Sequence, residues 1–195
     1  IKGSATQSQY QALLSAVTYQ NSSANPDVRT RDLRVDVTDS LGASSRSANI
    51  RISVAATDDA ARLDLSGADF VALNNTALYT GGLGSSPVAI APQATLRDPD
   101  NSTFKSITIS LVAPSNGDSS FQAPAAGDVI GLTPGGLAAL QAAGLSPSFN
   151  PNNTSLTLSS STPVDLAAIE TVLRGVVFNH VMQASETLSG VRKIM

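Results

Sequence analysis

The chain has 195 residues, which is enough for one domain or two modest ones with a buried core. Charged residues make up only 14%, the formal net charge is −3 and no basic cluster is present, which argues against nucleic-acid partners. No apolar run approaches the roughly 20 residues of a membrane-spanning helix, so we expect no direct membrane insertion. The absence of cysteine excludes disulfides, cysteine metal ligands and thiol catalysis.

The first predicted element is a short helix that leads directly into a strand. In QYQALLSAVTY the apolar residues fall at helical spacing, and Thr6 with Gln9 forms a capping box ahead of them. These apolar residues are Tyr10, Leu13, Leu14 and Val17. The next segment, AVTYQ, is predicted to begin a strand.

Two segments with alternating apolar residues come next and predict a β-hairpin. DLRVDVTDS and SANIRISV each present one apolar and one polar face, and SLGASSR between them predicts a glycine-containing loop. The core residues predicted here are Leu33, Val35, Val37, Ile50, Ile52 and Val54.

The remainder of the chain contains further strand patterns and two helix candidates. FKSITISLV and TSLTLSS alternate, SPVAIAPQATL and GDVIGL are shorter candidates, and 133–145 is Ala-rich and predicts a short surface helix or turn. Thr162 with Asp165, and Pro163 at the first helical position, predicts a second capped helix. The predicted core residues are Ile107, Ile109, Leu111, Leu156, Leu158, Ile169, Leu173 and Val176.

The helix-into-strand element recurs as ETVLRGVVF, 159 residues after its first occurrence. At that offset Tyr19 corresponds to Phe178 and Leu14 to Leu173, and the other apolar helix positions also coincide. A period of this size indicates tandem domains. We therefore interpret residues 1–57 as the C-terminal part of one repeat, and 58–195 as the N-terminal and middle part of the next, without its last strand or strands. The segments 21–28 and 185–188 are predicted to be equivalent loops.

The first copy resembles the cadherin-like, immunoglobulin-like tandem repeats of very large secreted and cell-surface proteins. The matching residues are Thr6, Gln9, Tyr10, Gln11, Leu14, Val17, Tyr19, Asn21, Ser23, Thr30, Arg31, Val35, Val37 and Asp39. TDDAARLDLSG resembles the linker of such a repeat, although Asp58 and Ala61 depart from the usual linker Asn and Pro, and PVAIAPQATLRDPDNSTFKSITISL resembles its strand pair. The resemblance implies a mainly β chain of antiparallel sandwich modules, each with a short helix before a late strand.

The resemblance also implies a calcium-binding site, since cadherin-type linkers bind Ca²⁺ through acidic residues. Ca²⁺ takes about six to eight oxygen ligands. The candidates are Asp58 and Asp59 in the linker and Asp98 and Asp100 in RDPDN, where Asn101 could add an oxygen. The alternative is an ordinary turn, because Asp, Pro and Asn all favour turns. No other cofactor is expected.

The sequence contains candidates for two further kinds of site. Five Asn-X-Ser/Thr sequons, at Asn21, Asn74, Asn101, Asn152 and Asn153, predict glycosylation if the chain passes through a eukaryotic secretory route; unmodified polar loops are the alternative. His180 is the only histidine. Without a nucleophile and an orienting group that the sequence can place, it predicts no catalysis.

The sequence therefore predicts a non-enzymatic structural or adhesive segment of a large extracellular or cell-surface protein. Its expected partners are neighbouring repeats of the same chain and other subunits of a cell-surface filament or matrix. The alternative is a carbohydrate- or ligand-binding β-sandwich module, which would need an aromatic platform from only 3 Tyr and 5 Phe. A hydrolase accessory domain is a third class, with no motif behind it.

Overall fold

The computed structural model describes residues 3, 5–67, 69–82, 84–115, 118–182 and 190–195. The chain divides into two compact units, Ile1–Asp59 and Ala60–Met195. Strands account for 31% of the structure and helices for 15%, so the mainly β prediction is confirmed. The predicted loop at 185–188 lies outside the described residues.

The first unit contains one helix and one hairpin, both as predicted. Helix α1 spans Gln7–Ser15, and the capping box is present: the Thr6 N–H donates to Gln9 Oε1 at 2.8 Å. Strands β1 (Arg31–Val35) and β2 (Ala48–Ile52) pair antiparallel, with Leu33 opposite Ile50.

The burial predicted for the first unit is wrong. None of its described residues is buried, and the predicted core of the hairpin is exposed or half-buried. The exposed members are Leu33, Val37 and Ile50, and the half-buried members are Val35, Ile52 and Val54. The strand predicted at AVTYQ is also absent, since residues 17–21 are irregular. Alternation predicts which face of a strand is apolar, but burial also requires a second layer against that face.

The second unit contains nine strands and two helices in the described part of the chain. In chain order they are β3 (Arg62–Asp64), β4 (Val88–Ala89), β5 (Thr95–Arg97), β6 (Thr103–Val112), β7 (Asp128–Leu132), α2 (Pro134–Ala142), β8 (Ser146–Phe149), β9 (Ser155–Asp165), α3 (Leu166–Arg174), β10 (Val176–His180) and β11 (Lys193–Ile194).

These strands form three antiparallel sheets. Their orders are β4-β10-β7, β11-β6-β9-β8 and β3-β5. The two larger sheets and α3 contribute to one apolar core, in which Leu156, Val172 and Val176 are almost completely buried. The predicted core of this unit is confirmed, with Ile107 partly buried at its margin.

The start of the second predicted helix is wrong by about one turn. Thr162 and Pro163 belong to β9, which continues to Asp165, and α3 begins at Leu166. Pro163 has no N–H to donate, and it lies beside the register shift between Phe104 and Ser106 of β6, where proline is tolerated in a sheet. Pairing with β6 therefore extends the strand through a segment whose local pattern favours a helix.

Helix α2 is more buried than the surface helix or turn that the sequence predicts. Leu140 lies in the core, and the first turn of α2 crosses the C-terminal end of α3. A Cβ placed on Gly175 would lie 2.5 Å from the Cα of Gly136, so this crossing requires glycine. The Thr133 N–H also donates to Gly175 O at 2.8 Å.

Candidate functional site

The helix of the repeated element is present in both units, but the two helices differ in burial, and α3 leads into β10 whereas the segment after α1 is irregular. Helix α1 begins at residue 7 and α3 at residue 166, so both the start and the end of the helix recur after 159 residues. Leu14 is 43% exposed, whereas Leu173 at the equivalent position is 3% exposed. Tyr19 is 46% exposed, whereas Phe178 at its equivalent position is 6% exposed.

The difference follows from what covers each copy. In the second unit, α3 packs on β5 and β9, and β10 lies between β4 and β7. The described part of the first unit has only α1 and one hairpin. The apolar face of α1 and the segment after it therefore form an uncovered surface of the kind that a second layer would bury.

A groove of about 690 Å³ lies within the second unit, between its two larger sheets. We call it the inter-sheet groove. Its walls include Ile107 and Ile109 of β6, Phe178 of β10 and Ile90. The segment 190–195, which contains β11, lies along it.

The irregular segment 74–79 also lines the groove and is fixed by specific contacts. The Tyr79 hydroxyl donates to Asn179 Oδ1 at 3.0 Å, and its ring meets Phe178 edge to face with centroids 5.2 Å apart. Asn75 Nδ2 donates to Ile90 O at 2.7 Å. These bonds connect a segment without regular structure to β10 and to the residue after β4.

A buried ionic network lies where β7 begins and β10 ends. Asp128 and His180 face each other across the antiparallel pair, and His180 Nδ1 donates to Asp128 Oδ1 at 2.7 Å. Arg192 Nε donates to Asp128 Oδ2 at 2.6 Å, and the Ala125 N–H donates to the same oxygen at 2.8 Å. The network connects the segment that contains β11 to the core sheet.

The environment lowers the pKa of Asp128. Burial by itself raises it, but hydrogen bonds from Arg192, the Ala125 N–H and His180 together outweigh burial. The carboxylate is therefore ionised at neutral pH and stabilises the fold. His180 is buried and bonded to Asp128 within the network.

Sequence pattern did not identify Asp128 as the partner of His180, nor Arg192 as a second partner of Asp128. A local signal exists in Gly127, whose φ of 95° is suited to glycine and whose Cβ would lie 2.6 Å from Val181 O. Glycine followed by aspartate at the start of an apolar strand indicates that another backbone segment packs closely against the glycine. The sequence pattern does not identify that segment.

Asp64 is a second buried carboxylate that the sequence analysis missed. It is completely inaccessible and accepts hydrogen bonds from the N–H groups of Ser66, Gly67 and Phe70, at 2.8, 3.1 and 2.8 Å. Burial raises its pKa, and the bonds from Ser66, Phe70 and Gly67 outweigh that effect, so the pKa lies below its ordinary value. Asp64 thus organises the turn that follows β3.

The predicted calcium ligands fall into two groups. Asp58 and Asp59 end the first unit, whereas Asp98 and Asp100 lie in the turn after β5 of the second. Asp98 Oδ1 accepts from the N–H groups of Asp100 and Asn101, at 3.2 and 2.9 Å, and the Asn101 bond is the main cause of its lowered pKa. Among the described residues no three acidic or histidine side chains come together, and the calcium site stays a prediction.

The five predicted glycosylation sites are all exposed. Asn21 is in the irregular segment after α1 of the first unit, Asn101 is in the turn before β6, and Asn152 and Asn153 are in the turn before β9. Asn74 lies at the inter-sheet groove. Their exposure is compatible with glycosylation, which stays a prediction.

Comparison with family models, with curated proteins and with solved structures finds no match for this chain. The resemblance to cadherin-like and immunoglobulin-like repeats therefore stays a prediction. Within the described ranges no helix is long and apolar enough to cross a membrane.

Proposed function

We propose that this chain is a non-enzymatic structural or adhesive segment of a large extracellular or cell-surface protein built from tandem β-sandwich repeats. The recurrence of α1 as α3 after 159 residues, with the same bounds and apolar face, carries the proposal. In this proposal the recurring module is a spacer, and its function is to transmit mechanical load or to present a surface to a partner.

The opposite burial of the two copies supports this proposal. The exposed Leu14 and Tyr19 are apolar at positions where the second unit has core residues. Selection for an isolated soluble unit would favour polar residues there, because exposed apolar patches promote association. The pattern fits a first unit whose apolar face is covered within a longer array.

The composition of the surface supports an extracellular setting. All five sequons are exposed, and charged residues are only 14% of the chain. Such a surface relies on Ser, Thr and Asn for its polarity, and each sequon can accept a glycan in a secreted protein.

The experiment that tests the proposal is surface labelling with an antibody raised against this chain. Intact cells of the source organism should be labelled without permeabilisation, and the immunoreactive band should be far heavier than 19.9 kDa. An antibody against an abundant cytosolic protein is the control and should label permeabilised cells only. Labelling that requires permeabilisation, or a band near the mass of this chain, would overturn the proposal.

A further inference from the structure

Among the described residues, strand β11 forms one edge of the four-stranded sheet and lies beside the inter-sheet groove. Lys193 and Ile194 pair with Val112 and Leu111 of β6 on the inner side. The Met195 N–H donates to Ser110 O at 2.8 Å, and the Ser110 N–H donates to Met195 O. No other described strand pairs with β11.

The alternation of an antiparallel strand determines which backbone groups face the open side. Met195 exchanges bonds with β6, so its neighbour Ile194 directs its N–H and C=O away from β6. The Ile194 side chain meanwhile packs against the core and lines the groove. A strand added at this edge would therefore bond to Ile194 and place its own inward side chains over the groove.

The first unit contains the equivalent strand with its neighbour in place. At the 159-residue offset, Ile194 corresponds to Val35 of β1, and both are half-buried; Lys193 corresponds to Arg34, and both are exposed. The half-buried and exposed positions of β11 therefore coincide with those of β1. In the first unit, β2 pairs with β1 and places Ala48 opposite Val35.

The side of β1 that β2 occupies corresponds to the open side of β11. Beyond β1 the hairpin continues with the Ser45 N–H donating to Val37 O at 2.7 Å. Because alternate residues of a strand direct their backbone groups to the same side, Val35 also directs its groups toward β2. Val35 is the equivalent of Ile194, whose groups face the open edge.

From this correspondence we propose that the open edge of β11 binds an extended antiparallel segment of the β2 type. In the register of the first unit, the residue equivalent to Ala48 lies opposite Ile194. The residues equivalent to Ala48, Ile50 and Ile52 then face the inter-sheet groove, and those equivalent to Asn49 and Arg51 face outward. This is strand addition, in which backbone bonds supply affinity and alternate side chains supply specificity.

This inference rests on the proposed function and specifies the kind of strand that binds the edge of β11. It also accounts for the groove, because an apolar space between two sheets is closed when the edge beside it receives a strand with apolar residues on its inward side. The open edge is a liability for pairing with other chains unless such a strand occupies it.

The test is a chain extended after Met195 by a copy of the sequence of residues 37–54. Met195 corresponds to Asp36, so this extension reproduces the loop and β2 at the proper offset, and the short tether gives a high effective concentration. The matched control carries Ile50→Asp and Ile52→Asp in the added copy only. Amide hydrogen exchange measured by NMR reports on Ile194.

We expect the amide of Ile194 to exchange at least about tenfold more slowly in the extended chain than in its control. Ile194→Pro should abolish the gain in thermal midpoint that the extension produces, because proline removes the N–H directed at the added strand. In the unextended chain the same substitution keeps the bonds to β6, so the comparison of both backgrounds isolates the pairing.

Equal exchange of Ile194 in the extended chain and its control would overturn the proposal. Protection that instead rises with the concentration of the unextended chain would also overturn it, since a second copy would then occupy the edge. The outcome is separable from that of surface labelling: strand addition can fail in a surface protein, and it can succeed in a protein that never reaches the surface.

Discussion

Replacing Leu173 with alanine is expected to destabilise the second unit strongly, whereas the same replacement at Leu14 is expected to cost little. The two leucines occupy equivalent positions of α3 and α1, but Leu173 is 3% exposed and Leu14 is 43% exposed. If burial determines the cost, identical substitutions at equivalent positions should differ several-fold.

The magnitudes follow from the burial. Leu173→Ala removes about three buried carbons, worth about 0.8 kcal/mol each, and leaves a cavity in the apolar core, so we expect a loss of about 3 to 4 kcal/mol. Leu14→Ala removes atoms at an open surface, and alanine favours a helix slightly more than leucine, so we expect a loss below about 1 kcal/mol.

Urea unfolding measures the difference. With a slope of about 2 kcal/mol per molar, the loss at Leu173 corresponds to a midpoint lower by about 1.5 M or more. Leu137→Ala in α2 is the control within the same unit, because Leu137 is 44% exposed, close to the value at Leu14. Similar midpoint shifts for all three variants would refute the reasoning that burial determines the cost.

Three further predictions concern the helix crossing, the buried network and calcium. Gly175→Ala should cost about 1 to 3 kcal/mol in chemical denaturation, since its Cβ would lie 2.5 Å from Gly136 Cα, while Gly135→Ala in the open first turn should stabilise by up to about 1 kcal/mol; a neutral Gly175→Ala would contradict the crossing. Asp128→Asn should lower the free energy of unfolding by about 3 kcal/mol, because it leaves the largely buried Arg192 guanidinium with a neutral partner. The pKa of Asp128 is lowered in the fold, so its stabilisation is present above the unfolded value of about 4 and is lost as the pH falls through the lower folded value. Thermal melting of the wild type should therefore show an acid loss that Asp128→Asn reduces, and equal acid profiles would contradict this. Ca²⁺ should raise the melting midpoint and a chelator should reverse the rise, with Asp98→Asn preserving the turn but cancelling the effect; an unchanged midpoint would remove the calcium hypothesis.

Local pattern was sufficient to predict the hairpin of the first unit and the start of α1, but it was wrong about a strand at AVTYQ. The alternation of DLRVDV and SANIRI predicted the hairpin, and the Thr6–Gln9 capping box predicted where α1 begins. Both signals depend on residues close in sequence, through the pleat of a strand and the free N–H groups of a first helical turn. The 159-residue recurrence was readable for the same reason, because each copy is a local pattern.

Pro163 shows where local pattern was insufficient. Its position after Thr162 favours a helix start, but pairing with β6 extends β9 to Asp165. That pairing joins segments more than 50 residues apart, and no short window of the sequence contains it.

The sequence by itself determined many of the elements, their apolar faces and the recurrence of the helix after 159 residues. The tertiary structure decided which of those faces are buried, as the contrast between Leu14 and Leu173 shows. It also brought Asp128 together with His180 and Arg192, which follow it by more than 50 residues. The physical reason is the same in each case: periodicity is a property of neighbours along the chain, whereas burial and ion pairing depend on which distant segments pack against them.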